Sequence, residues 1–134
     1  MEGEMEAVLE KPVRTRWLFH ARARDGSTIA PRSGMTIAVA RAEDGTYVAG
    51  VSVCSMADNY SKRAGAGIAW TRVHSRLAGK KVLNTIHEPA GSPALAALKA
   101  MYHVLRIPSA HRDVDAYLEL VVKPFERRIR NGSA

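Results

Sequence analysis

The chain has 134 residues, enough for one hydrophobic core and too few for two good ones. Its 20 Lys and Arg outweigh 13 Asp and Glu to give a net charge of +7; one cysteine excludes an internal disulfide, and no run of about 18 apolar residues exists to span a membrane. A single basic domain suited to a reducing cytoplasm is expected, with nucleic acid or an acidic protein surface as its partner rather than a membrane.

Residues 1–14 read as a disordered acidic tail, with Glu2, Glu4, Glu6 and Glu10 giving the first ten residues −4 and the remainder +11. The start lacks the positive and apolar regions of a signal peptide, which argues against export by that route. Residues 15–131 read as one domain. From Arg16 to Arg24, Trp17, Phe19 and Ala21 alternate with Leu18, His20 and Arg22, which suits a strand. Asp25-Gly26 marks a turn, and Pro31-Arg-Ser-Gly34 closes a loop. Met35–Arg41 is a second strand with Met35, Ile37 and Val39 on one face. Asp44-Gly45 is a hairpin turn, and Thr46–Cys54 returns with Tyr47, Ala49, Val51 and Val53 on one side.

A helix over 61–78 follows, with Asp58, Asn59 and Ser61 as competent caps and Gly79 as its stop. Ala66, Trp70, Val73 and Leu77 form an apolar stripe expected to face the sheet. A second stripe holds Lys62, Gly65, Ala69, Arg72, Arg76 and Lys80. Its small middle residues admit either a phosphodiester chain at close range or another helix packed tightly. Between Asn59 and Glu88 no acidic residue occurs, while Lys62, Arg63, Arg72, Arg76, Lys80 and Lys81 are all positive. These six are the candidate contact set.

Val82–Ile86 can add a fourth strand. Ser92-Pro93 starts another helix, carried by Leu95, Leu98, Met101, Tyr102 and Leu105 and ended by Pro108. Asp113 caps a last helix through Val114, Tyr117, Leu118, Val121 and Phe125, which Pro124 should kink or break. Arg127, Arg128 and Arg130 suit the helix C-terminus, where the dipole favours cations. The expected fold is α+β: an antiparallel sheet of three to four strands, one helix packed across it, and two C-terminal helices beside that helix.

Residues 35–78 resemble the C-terminal half of a double-stranded-RNA-binding domain, in which strands lead into a helix opening Ser-Lys-Lys-x-Ala-Lys-x-x-Ala. Here Ser61-Lys62-Arg63-Ala64-Gly65-Ala66-Gly67-Ile68-Ala69 occupies those places, with Ala66 replacing the third cation and the family's leading helix missing. The resemblance implies phosphate contacts from Lys62 and Arg63. The run Cys54-Ser-x-x-Asp58-x-Tyr60-Ser-Lys-Arg-x-Gly65-x-x-Ile68-Ala69 is also similar to a pattern in small phage and prophage proteins of unassigned role, which implies a mobile-element origin.

Enzymatic chemistry finds little support. Cys54 has no histidine near it in sequence and reads as a small buried hydrophobe, Asp58 as a helix cap, and His74 as a half-buried packing residue. Trp17, Phe19, Tyr47 and Tyr60 could stack on bases, but with so few aromatics most are needed in the core. Gly65-Ala-Gly67 lacks the rest of a nucleotide loop, and no metal-ligand spacing occurs among the five histidines, so no cofactor or metal is expected. The expectation is a non-catalytic nucleic-acid-binding accessory protein. The alternative is an inhibitor that docks the same cations onto an acidic host complex.

Overall fold

The computed structural model describes residues 14–109 and 112–132. Residues 1–13, nearly all of the expected acidic tail, lie outside the described residues, as does His111. Among the described residues an antiparallel sheet is built from β1 (Arg16–Asp25), β2 (Thr28–Arg41), β3 (Tyr47–Asn59) and β4 (Thr85–Glu88), in the order β1-β2-β3-β4. The α+β class holds, and the optional fourth strand joins the sheet, starting three residues and ending two residues later than the sequence places it.

The central hairpin has the expected facing residues, with Met35 opposite Val53, Ile37 opposite Val51 and Val39 opposite Ala49. Its strands are longer than expected. Pro31-Arg-Ser-Gly34 is no loop but part of β2, where the pairing register slips on both sides of the strand. Ser33 sits at φ 68° and Gly34 at φ 142°, so the turn-forming residues mark a bulge that bends the strand without ending it. β3 likewise continues past Cys54 to Asn59.

The two faces of the sheet carry different cores. Odd-numbered residues Trp17, Phe19, Ala21, Met35, Ile37, Val39, Ala49 and Val51 pack against α2 (Pro93–Arg106) and the last helical stretch. That stretch comprises α3 (Val114–Tyr117), a π-helical turn (Leu118–Val122) and α4 (Lys123–Arg130). Pro124 does not break it. Proline offers no N–H to the carbonyl four residues back, and the π turn absorbs the mismatch by letting the Lys123 N–H reach the Leu118 carbonyl. Ser92 and Asp113 cap their helices as expected. Of the expected stripe of α2, Met101 and Leu105 are buried, joined by Ala96, Ala97, Ala100 and Val104, while Leu98 and Tyr102 are half-buried and Leu95 is exposed.

The opposite face holds Ala38, Ala40 and Val48 under Ala69 and Val73 of α1 (Lys62–Leu77). The C-terminal helices are therefore not beside α1; the sheet separates them. Ser61 caps α1 by accepting the Ala64 N–H at 3.1 Å, a role the sequence also offered to Asp58 and Asn59. At the other end the Lys80 N–H reaches the Ser75 carbonyl and the Gly79 N–H the Arg76 carbonyl, the paired bonds of a Schellman stop.

Candidate nucleic-acid interface

The way α1 sits on the sheet decides which of its side chains face water. Gly65 and Ala69, expected on the solvent side between cations, are buried against the sheet. A Cβ on Gly65 would overlap Thr36 Oγ1, and a Cβ on Gly50 of β3 would lie 2.9 Å from the Ala69 carbonyl. Helix and sheet touch through residues with almost no side chain, so the small stripe serves close packing, with a sheet as the neighbour. Of the expected apolar stripe only Val73 is fully buried. Trp70 is partly covered and Leu77 is 44% exposed.

The six candidate cations divide accordingly. Lys62, Arg63, Lys80 and Lys81 are exposed, two at each end of α1. Arg72 and Arg76 are partly buried on the flank facing β3 and β4. β4 pairs with β3 only from Tyr47 to Gly50, and just beyond that ladder the Val51 carbonyl accepts from Arg72 Nη1. Burial, with Arg112 nearby, holds the Arg72 pKa below its ordinary value. Arg76 Nη1 donates to Thr85 Oγ1 at 3.2 Å, and that hydroxyl donates to the Val82 carbonyl at 2.6 Å. The two arginines fasten α1 to the sheet edge, so the six do not form one continuous water-facing row.

Other cations take their place along the opposite flank. β1 alternates, so Arg16, His20 and Arg22 leave the sheet on the α1 side. The Arg16 guanidinium lies 5.5 Å from the Trp70 ring and donates to His74 Nε2 at 3.2 Å, while His74 stacks on Trp70 at 6.0 Å. His74 is thus exposed, not half-buried. At the start of α1, Tyr60 Oη lies 2.7 Å from His20 Nδ1, 2.6 Å from Thr36 Oγ1 and 3.3 Å from the Met35 carbonyl. Arg22 covers the Tyr60 ring at 4.6 Å. The alternation in β1 was the available signal for these residues; nothing local tied that strand to a helix that lies beyond two further strands in the chain.

Near the far end of α1, Arg76, Gly79, Lys80, Lys81, Val82, Leu83 and His87 line an open concavity of about 600 Å³. Another, of about 310 Å³, brings Cys54 and Asp58 together with Tyr60, Ser61 and Ile68. Cys54 is only partly buried, its Sγ 3.5 Å from the Asp58 carbonyl, and Asp58 is exposed instead of capping α1. Among the described residues no histidine lines that concavity and no cluster could hold a metal ion. Trp17, Phe19 and Tyr47 pack in or against the larger core, whereas Tyr60 belongs to the network above. No described helix is long and apolar enough to cross a membrane.

Ion pairs gather on the C-terminal helices. Among the described residues the ion pairs are Lys99–Glu88, Lys123–Glu119 and Arg130–Glu126, all involving α2 or the last helical stretch. α1 carries no carboxylate, and Arg16, Arg22, Lys62, Arg63, Lys80 and Lys81 make no ion pair among the described residues. Comparison with family models, curated proteins and solved structures found no match to this chain.

Proposed function

We propose that the protein binds nucleic acid without catalysis, contacting phosphates through the α1 side of its sheet. The observation that carries this reading is where the ion pairs lie: among the described residues each involves α2 or the last helical stretch, while Lys62, Arg63, Lys80 and Lys81 around α1 make none. Lys62, Arg63, Lys80 and Lys81 are the free contacts in this reading, with Arg16 and Arg22 beside them. Arg72 and Arg76 act chiefly through the scaffold. No base-reading element stands out on this side, so recognition follows charge and shape. The pattern shared with small phage proteins supports an accessory role on a mobile element.

The test is fluorescence anisotropy with single- and double-stranded DNA and RNA oligonucleotides over a range of salt. Charge reversal at Lys62, Arg63 and Lys80 should abolish binding with circular dichroism unchanged. Reversal at Lys123 and Arg130, across the sheet, should leave it within about threefold, because exposed charges more than a Debye length away are screened. If none of these oligonucleotides is retained at low salt, the reading fails and an acidic protein surface becomes the better partner for the same cations.

A further inference from the structure

We propose that His20, Arg22 and Lys62 form a seat for one phosphate group where β1 passes the first turn of α1. The proposal deepens the nucleic-acid reading and rests on it only for the source of that phosphate.

Three different donors are gathered there from two elements: Arg22 lies over the Tyr60 ring that holds His20, and Lys62 is near enough to act on the His20 charge. Arg22 brings a planar fork, Lys62 a mobile ammonium and His20 a ring nitrogen, a set suited to a tetrahedral oxyanion. None of the three makes an ion pair among the described residues. The charged groups that face His20 are Arg22 from its own strand and Lys62 from α1. The titratable phenol Tyr60 lies on its Nδ1 side, and β2 contributes only the Thr36 hydroxyl. Arg22 is under-used: it makes a single hydrogen bond among the described residues, from Nη2 to the Ala30 carbonyl at 3.3 Å, and its Nε–H is buried without a partner. His20 Nε2 makes no hydrogen bond among the described residues and is not sealed from solvent.

The ring is also held in place. Tyr60 packs on Gly34, where an added Cβ would lie 2.7 Å from the Tyr60 ring, and its hydroxyl bridges His20 to Thr36 and to the Met35 carbonyl. That hydroxyl can donate to a neutral Nδ1. It can equally accept from a protonated one while its own O–H donates to the Thr36 hydroxyl or the Met35 carbonyl. The imidazole can therefore take up a proton without losing its anchor. Burial, Lys62 and Arg22 hold its pKa below the usual histidine value, and an anion among the three would push it back up.

The experiment follows the His20 ring by NMR across pH 5–8, with inorganic phosphate or with chloride at equal ionic strength. Phosphate should raise the His20 pKa, and Lys62→Ala should raise it in chloride while shrinking the phosphate-induced shift. His20→Gln should weaken oligonucleotide binding at pH 6 by about fivefold, and Lys62→Ala should reduce the salt slope by about one. A 5′-phosphorylated strand that binds more tightly than its 5′-hydroxyl counterpart would place a chain end in the seat; equal affinity would place an internal phosphodiester there.

A His20 ring indifferent to phosphate overturns the seat. So does unchanged oligonucleotide binding in both variants while charge reversal at Arg63, Lys80 and Lys81 abolishes it, and the wider reading then stands. A phosphate response at His20 without any oligonucleotide binding keeps the seat and removes the nucleic-acid reading.

Discussion

Gly65 and Gly67 are two residues apart in α1, yet the structure assigns them opposite consequences. An alanine at either site gains about 0.5–1 kcal/mol of helix propensity. At Gly67 a Cβ meets nothing within 4 Å, so Gly67→Ala should stabilise the protein by that amount. At Gly65 the Cβ runs into Thr36, whose own Cβ would be 2.9 Å away and is tied directly to β2. Overpacking of this kind is worth about 1–3 kcal/mol and outweighs the propensity, so Gly65→Ala should be net destabilising. Urea unfolding of the pair measures both signs. His20 supplies a second residue-level prediction. Its folded pKa is lowered, so the unfolded chain binds the proton more readily. Stability is complete above the ordinary value of 6.5 and declines as pH falls through that value toward the folded one. Denaturation midpoints at pH 7.5 and 5.5 should show the loss, and His20→Gln should remove that part of it.

At the scale of elements, Arg72 ties α1 to the edge of β3 just past the end of β4. Arg72→Met keeps much of the packing but leaves the Val51 carbonyl without its donor, which should destabilise by about 1–3 kcal/mol. Lys80→Ala, at an exposed position of the same basic run, should change stability by no more than about 0.5 kcal/mol. The contrast also shows where the sequence was readable. Strand faces were legible because Trp17, Phe19, Met35, Ile37 and Val39 are large and recur with period two. The seating of α1 was not. A helical wheel weighs Trp70 and Leu77 heavily and Gly65 lightly, whereas a close helix–sheet approach buries the small residues and leaves the large ones at the rim. Arg72 and Arg76 looked like free cations because their acceptors, the Val51 carbonyl and Thr85, become available only through the strand ladder. Arg16, His20 and Arg22 could be placed on one face of β1, but only tertiary structure sets that face beside α1.

For the molecule as a whole, the free cations lie at the two ends of a 16-residue helix, roughly 24 Å apart at 1.5 Å per residue. A partner touching both ends must be extended and anionic over that length. If Lys62, Arg63, Lys80 and Lys81 each neutralise one phosphate of a duplex, the logarithmic salt dependence of binding should have a slope of about −3.6. Anisotropy titrations across salt concentrations measure it; a slope near zero would remove phosphate contact from the account. The whole-molecule charge of +7 pointed to such a partner in advance, but not to the gathering of the ion pairs on the C-terminal helices, since that depends on which helix lies on which side.

The unequal size of the two cores has a dynamic consequence. Beneath α1 the buried apolar contact is confined to Ala38, Ala40, Val48, Ala69 and Val73, with Trp70 at its border, whereas the other side is packed with Met, Ile, Val and aromatic side chains. α1 should then lift away as a unit at lower free energy than global unfolding, and its amides should exchange hydrogen earlier than those of β2. Because such an excursion would scatter the basic surface, any polyanion that grips both ends of α1 must slow that exchange, reporting occupancy through protection of the backbone.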